Sequence, residues 1–324
     1  MESTIDWLNQ QPEWVSYRTK IDLEEKSPDE QDLKSIYKKL VNHTLTSSLF
    51  KEFDLWPGQP MKRHNDAKLL YHKLVFLADI GVKAGNNNIS KLIDKIISNA
   101  SEEGPFQILG NMPNVFGGSG KDEFMWLLCD SPLISYALIK MGAGDEPAVK
   151  KSVDYLLSSN KDFGWPCAAT KSLGEKFKGP GKKTDPCPYA NLLMLKLISS
   201  IPELKNSKEA KKGCEVLLDL WENRKNIKYF LFGMGTDFSK LKAPFIWFDI
   251  LHVLDVLSEF EFIYNDPRMV EMVDLLKTKP NENGLYMAES VYRAWKNWDF
   301  GQKKQPSGWI TFLVYRIYKK LKTQ

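Results

Sequence analysis

The chain has 324 residues, of which 43% are hydrophobic and 27% charged, an ordinary balance for a soluble globular protein. Its net charge of +4 is modest for this length and does not by itself indicate a nucleic-acid-binding protein. No apolar run reaches the ~18 residues of a membrane span. The four cysteines include no CxxC pair, and MESTIDWLNQQPEW contains no signal-peptide pattern. These features predict a cytoplasmic protein.

Residues 1–55 are predicted to form a helical cap. Trp7, Trp14 and Ile21 belong to a set of apolar side chains at helical spacing, and Ser27 followed by Pro28 marks the start of another helix. The tripeptide at 56–58, Trp-Pro-Gly, then breaks the chain. We therefore predict that residues 56–324 form a second, continuous body.

Within residues 56–324 a unit recurs, made of a polar loop, an apolar helix, a short break and an amphipathic helix. Apolar helices are predicted near 68–82, 132–142, 188–200, 244–258 and 306–320. Amphipathic helices are predicted near 89–100, 146–158, 207–222 and 267–278. The residues predicted to cap the amphipathic helices are Asn88, Asp145, Ser207 and Asp266.

Three related breaks support a repeat. EEGPF, DFGW and ENGLY place glycines at 104, 164 and 284, which is one interval of 60 residues and one of 120. Helices that are apolar all round are buried, whereas amphipathic helices show one face to water. The alternation predicts an all-α fold, an α/α toroid with inner and outer rings of helices. An open superhelix is the alternative, although it would not require alternate helices to be so apolar.

Four segments resemble the repeats of terpenoid cyclases and protein prenyltransferases. These are DFGWPC at 162–167, DPCPYANLLMLKLI at 185–198, APFIWFDILHVLDVLS at 243–258 and PSGWITFLVYRIYKKL at 306–321. The resemblance covers roughly residues 60–321 and implies a toroid that handles an isoprenoid as a transferase or cyclase. The Asp-x-Asp-Asp and DDxxD segments of two terpene mechanisms are absent from the sequence.

The same resemblance implies a zinc site. Protein prenyltransferases hold zinc with an Asp-x-Cys pair and a later His, which here correspond to Asp185, Cys187 and His252. In the alternative interpretation, Asp185 caps a helix and Cys187 is a small buried hydrophobic residue.

Lysine-rich loops precede the apolar helices and predict a site for an anion. The loop GEKFKGPGKK at 174–183 combines glycines, which let backbone N–H groups approach an anion, with basic side chains. We predict that the ligand-binding lysines are Lys176, Lys178, Lys182 and Lys183. Basic residues in the other loops are Lys62, Arg63, His64, Lys68, Lys240, Lys242, Lys296, Lys303 and Lys304. Trp165 and Trp247 are predicted to line a cavity, with a packed core as the alternative.

One polar seam crosses the apolar helix predicted at 244–258. Asp249, His252 and Asp255 are spaced three residues apart and share one face. If this face meets a central cavity, Asp249 is an acid or base, His252 is its hydrogen-bonded partner and Asp185 supplies a second carboxylate. Otherwise the three side chains bond to neighbouring helix ends or loop backbone.

The function predicted from the sequence is therefore the binding or conversion of a hydrophobic small molecule with an anionic, diphosphate-like head. Two alternatives stay open. One is a non-catalytic toroid whose basic rim binds nucleic acid or an acidic protein. The other is a carbohydrate-active α/α barrel, which needs two carboxylates roughly 5–10 Å apart in an open cleft.

Overall fold

The computed structural model describes residues 2–85, 87–177, 179, 184–227 and 232–322, and these ranges are mostly helical. The α-helices are α1 Glu2–Asn9, α2 Glu13–Arg18, α3 Gln31–Asn42, α4 Thr44–Glu52, α5 Leu70–Asp79, α6 Asn87–Ile97, α7 Ser131–Leu138, α8 Pro147–Ser158, α9 Pro188–Ser199, α10 Lys208–Glu222, α11 Ile250–Leu257, α12 Pro267–Lys277 and α13 Gly308–Lys320. One antiparallel hairpin pairs β1 Ile108–Asn111 with β2 Asp122–Met125. The all-α prediction is confirmed apart from this hairpin.

The predicted alternation of helix types is confirmed. Every residue of α5, α7 and α11 is buried, and so is α9 from Pro188 to Ile198. We call α5, α7, α9, α11 and α13 the apolar helices. By contrast, α8 and α12 bury only one stripe each, as their sequence pattern predicts for helices with one face in water.

The capping predictions are partly confirmed. Ser207 accepts a hydrogen bond from the backbone N–H of Ala210, and Asp266 caps α12 in the same way. Asp145 does not cap α8, because it lies one residue before the cap position and its carboxylate pairs with Lys150 at 2.9 Å. The α6 helix begins at Asn87, and the side chain of Asn88, the cap predicted for it, lies outside the described part of the chain.

The fourth apolar helix is shorter than predicted. It begins at Ile250 and not near 244, because Asp249 has an extended backbone and its side chain accepts a hydrogen bond from the N–H of His252. A side chain that satisfies a first-turn N–H is the usual way in which an Asp starts a helix. Asp249 is therefore the N-cap of α11 and not part of its body.

The apolar helices pack in chain order, α5 against α7, α7 against α9, α9 against α11 and α11 against α13. The N-terminal segment joins the two ends of this series. The α2 helix packs on α13, and Tyr17 in α2 lies against Gly81 immediately after α5. The ring of Phe76 in α5 also meets that of Trp309 in α13, with centroids 5.7 Å apart.

The hairpin positions the loop that precedes α5. Met61 pairs with the hairpin backbone, donating from its N–H to Leu109 O at 2.8 Å and accepting from the N–H of Asn111 at 3.0 Å. Because of this pairing, residues 62–65 lie beside the N-terminal end of α7, where His64 contacts Asp130. The loop between the strands exposes two apolar side chains, Val115 and Phe116.

Among the helices described, none combines the length and apolar character needed to cross a bilayer.

Candidate functional site

A pocket of about 450 Å³ lies where residues 61–65, the hairpin and the N-terminal ends of α7 and α9 meet. Its apolar lining includes Met61, Met112, Phe116, Phe177, Phe232 and Trp247. Lys62, Arg63 and His64 add basic groups, and three thiols, Cys129, Cys167 and Cys187, complete the wall. We call this cavity the thiol pocket. Among the described residues that line it, none carries a carboxylate.

His64 is held firmly from two sides. Its backbone carbonyl accepts hydrogen bonds from His72 Nε2 at 2.7 Å and from the Tyr71 hydroxyl at 3.3 Å, both in α5. Its ring Nδ1 lies 2.9 Å from Oδ1 of Asp130, which occupies the N-cap position of α7 without a side-chain capping bond and is fully buried. A carboxylate only accepts hydrogen bonds, so Nδ1 carries the proton and Nε2 is left for the pocket.

The charge of Asp130 also sets the protonation of His64. Burial alone would lower the pKa of the imidazole, but the charge and hydrogen bond of Asp130, and then the nearby sulfur of Cys187, raise it above its usual value. The His64 side chain is 24% exposed, which leaves the ring accessible. The imidazole can therefore hold a proton beside the thiols.

Cys187 is the acidic thiol of the pocket. It occupies the N-cap position of α9, and its side chain is buried except where it meets the cavity. Hydrogen bonding from Cys129, then from Cys167, lowers the pKa of the Cys187 thiol well below its usual value, although burial acts in the opposite direction. No capping hydrogen bond of normal geometry joins the sulfur to α9, but the first-turn N–H groups of Tyr189 and Ala190 still favour the thiolate.

The two neighbouring thiols have the opposite tendency. Their hydrogen bonds to Cys187, followed by burial, raise the pKa of Cys129 and of Cys167. Of the three thiols, Cys187 is therefore the one whose thiolate form these surroundings favour. The structure contains no disulfide among these residues.

The residues predicted as a zinc site are not brought together. Within the described ranges, no group of three or more His, Cys, Asp and Glu side chains is placed to hold a metal ion. His252 is fully buried, donates from Nδ1 to the carbonyl of Trp247 at 3.0 Å and stacks on Phe245 with ring centroids 4.7 Å apart. Cys187 lines the thiol pocket, and Asp185 is half-buried in the turn before α9.

The polar seam does not form one site either. Asp249 uses Oδ1 to cap α11, and its carboxylate bonds to the backbone of His252 and not to the ring. Burial raises the pKa of Asp249 to about 7 and lowers that of His252 to about 3. Asp255 faces the opposite end of the molecule, where it pairs with Arg316. The backbone partners of Asp249 and His252 agree with the alternative interpretation of the seam, whereas the ion pair of Asp255 was not predicted.

The predicted lysine loop lies largely outside the described residues. This applies to Lys178, Lys182 and Lys183, while Lys176 ends a 3-10 helix at Lys171–Lys176 and only its backbone is described. Trp165 belongs to the core, where its indole N–H donates to the carbonyl of Leu156 at 3.1 Å. Trp247 does line the thiol pocket.

A second cavity, also of about 450 Å³, lies at the C-terminal ends of the apolar helices. Its lining is dominated by charges from α2, α5, α9, α11 and α13 and from the segments that follow α2, α7 and α11. They are Arg18, Asp22, Glu25, Asp79, Lys140, Lys196, Asp255, Glu259, Arg316, Lys319 and Lys320. We call it the charged cavity.

Sequence reasoning missed the pairing of His64 with Asp130 and the clustering of the three thiols. A signal was present, because Pro132 and Pro188 both lie in the first turns of apolar helices and so mark equivalent loops. Aligning these prolines places Cys187 opposite Ser131, so that Cys129 and Asp130 fall in the equivalent loop of the preceding unit. His64 lies in the loop before α5, which is the apolar helix that precedes α7 in the chain.

A scan of the sequence against protein-family models finds no match, and a search of curated proteins finds no relative.

Proposed function

We propose that the protein binds an elongated apolar ligand with an anionic head in the thiol pocket. The observation that carries this proposal is the composition of the pocket wall, where aromatic and Met side chains surround the cavity and two exposed cations, Lys62 and Arg63, stand at its edge. Binding sites for small molecules are mostly apolar cavities of roughly 300–1,000 Å³ with a few placed polar groups. The pocket has this size and composition.

The head group follows from charge. Neither Lys62 nor Arg63 forms an ion pair with a described residue, and the lining carries no described carboxylate that would compete for them. An anion held by these cations keeps its apolar chain next to Phe116, Phe232 and Trp247. This charge pattern supports a phosphorylated lipid more than a sugar, since a carbohydrate-active site needs paired carboxylates in its cleft.

The proposal includes the finer architecture. We infer that the five apolar helices and α2 close into an α/α toroid, supported by the packing of α2 on α13 and of Phe76 on Trp309. An isoprenoid diphosphate is the ligand that the resemblance to terpenoid cyclases and prenyltransferases implies. The thiol pocket then opens at the end of the ring where the apolar helices begin.

The test is calorimetric titration with geranyl diphosphate, with geraniol and inorganic diphosphate as reference ligands. We expect geranyl diphosphate to bind at least tenfold more tightly than either part, because the cavity contacts both chain and head. The variant Lys62→Gln/Arg63→Gln should lose this advantage and keep its affinity for geraniol. Each tenfold loss corresponds to about 1.4 kcal/mol.

The matched control is Lys303→Gln/Lys304→Gln, which removes the same charge from an exposed loop before α13. It should bind as the unmodified protein does. Equal weakening by both double variants would instead favour a diffuse basic rim that attracts nucleic acid or an acidic protein. No binding of geranyl diphosphate at all would contradict the proposal.

A further inference from the structure

We propose that Cys187, His64 and Asp130 form a nucleophilic centre that transfers the acyl group of an apolar ester or thioester. The inference rests on the proposed function in one respect, that the thiol pocket accepts an apolar chain. It goes beyond that function because it assigns a reaction to residues that recognition of the ligand does not require.

The first support is the position of the three groups. Cys187 and His64 line one cavity, and Asp130 lies directly behind His64 with its carboxylate 2.9 Å from Nδ1. A nucleophile, a base and a carboxylate that orients the base are the three parts of a catalytic triad, whatever the fold. No hydrogen bond joins Cys187 to His64 in this structure, and such bonds often tighten only when substrate is bound.

The second support is the way in which the chain holds these parts. Cys187 and Asp130 are the N-caps of neighbouring helices, α9 and α7, which pack against each other. His64 is fixed through its own carbonyl by two side chains of α5. Cys187 and Asp130 are thus fixed at the ends of packed helices, and His64 is hydrogen-bonded to the first turn of a third, so the three groups have rigid supports.

The third support is the surroundings of the sulfur. The thiols of Cys129 and Cys167 and the first-turn N–H groups of α9 all favour the Cys187 thiolate. The thiolate, and not the thiol, is the nucleophilic form of cysteine.

The reaction proceeds in two balanced steps. The Cys187 proton moves to Nε2 of His64, the sulfur attacks the carbonyl carbon, and a C–S bond forms while the bond to the leaving alkoxide or thiolate breaks. The leaving group takes its electron pair and receives the proton from His64. Water then attacks the acyl-Cys187 carbonyl, gives a proton to His64 and releases the acid, which restores the thiolate and the imidazolium. Asp130 is a positioning residue, since it touches only His64.

The test uses p-nitrophenyl octanoate with the full chain, in a phosphine reductant that cannot act as a thiol acceptor. Intact mass spectrometry should show one octanoyl group, which peptide mapping places on Cys187. Cys187→Ser should abolish the adduct, and His64→Gln should slow its formation by roughly 10²–10⁴-fold. Cys214→Ser, a buried cysteine in α10 outside the pocket, is the matched control and should react normally.

The role of Asp130 is tested with Asp130→Asn. Because Asp130 is buried, the measurement must separate a change at His64 from a loss of folding. The pKa of His64, followed by NMR, should fall because Asp130 raises it, and acylation should slow while circular dichroism stays native. An unchanged pKa of His64 would show that Asp130 does not position His64.

Acylation that is equally fast at Cys129 or Cys167, or unaffected by His64→Gln, would overturn the proposal. Its failure can be distinguished from failure of the ligand proposal. If geranyl diphosphate binds to Cys187→Ser but the unmodified protein is never acylated, only the catalytic assignment is wrong. If Cys187 is acylated in a His64-dependent manner but geranyl diphosphate does not bind, the ligand class is wrong and the nucleophile remains.

Discussion

The thiol pocket and the charged cavity have the same volume and lie at opposite ends of the apolar helices, but their polar groups are used differently. In the charged cavity the carboxylates have cationic partners: Asp79 lies 3.4 Å from Lys196, Glu259 lies 2.5 Å from Lys320, and Asp255 pairs with Arg316. In the thiol pocket, the sulfur of Cys187 faces the cavity, and His64 pairs with Asp130 through Nδ1 but keeps Nε2 for the pocket. The ion pairs of the charged cavity hold neighbouring helices together. The thiol pocket leaves Cys187 and Nε2 of His64 available to a ligand.

The placement of charge follows helix electrostatics. The C-terminal end of a helix carries a partial negative charge, which attracts the last-turn cations of Lys196 and Lys320. These cations in turn hold carboxylates. Burial alone would raise the pKa of Glu259, but Lys320 and Lys205 lower it to about 2. The N-terminal ends carry the opposite partial charge and favour the Cys187 thiolate.

The largest expected effect comes from breaking the charged cavity with Arg316→Met. Arg316 pairs with Asp255 and lies 3.6 Å from Asp22, so its loss leaves a buried carboxylate without its main partner. Removing one member of a buried pair costs about 3–5 kcal/mol. Urea denaturation should show this loss, and Arg316→Met/Asp255→Leu should recover much of it. A loss below about 1 kcal/mol would mean that the pair does not join α11 to α13.

A pH-dependent effect, smaller than this one within any single pH unit, is expected at the opposite end, from Asp249→Asn. Burial raises the pKa of Asp249 to about 7, so the folded protein keeps a proton that the unfolded chain releases near its ordinary pKa of about 4. The stability that this proton contributes is fully present below that value and is lost as the pH rises through 7. Asn keeps the cap and does not titrate.

The measurement is the free energy of unfolding of both proteins from pH 4 to pH 8. Relative to the unmodified protein, Asp249→Asn should become more stable as the pH rises, on the order of 1.4 kcal/mol per pH unit between about pH 4 and pH 7, and the difference should level off above pH 7. The comparison between the two proteins cancels the titration of His72 and His252. A difference that stays constant across the range would show that Asp249 is ionised in the folded state.

The smallest effect is expected for Lys150→Gln, on the solvent face of α8. Lys150 lies 2.9 Å from Asp145, but 61% of its side chain is exposed, and water screens such a pair. The melting temperature should not change measurably. A clear loss of stability would contradict the claim that buried ion pairs, such as that of Arg316 with Asp255, stabilise the fold more than exposed ones do.

The sequence predicted the helices better than the site, and α11 shows why. The apolar pattern of 243–258 correctly indicated a buried helix, but it could not show that Asp249 caps that helix, since periodicity does not report side-chain hydrogen bonds. Asp249, His252 and Asp255 therefore looked like one seam. The structure gives them three separate partners: the backbone of His252, the carbonyl of Trp247 and the guanidinium of Arg316.

The sequence by itself determined which stretches form helices and which helices are buried, because helical periodicity and apolar content are properties of ten to fifteen consecutive residues. Only the tertiary structure decided that His64 meets Asp130, 66 residues away, and that Cys129, Cys167 and Cys187 share one pocket. These residues lie in loops or at helix ends, where no periodicity constrains them. Their neighbours are set by how the helices pack, since the buried faces of α5, α7 and α9 fix where each connecting loop must pass.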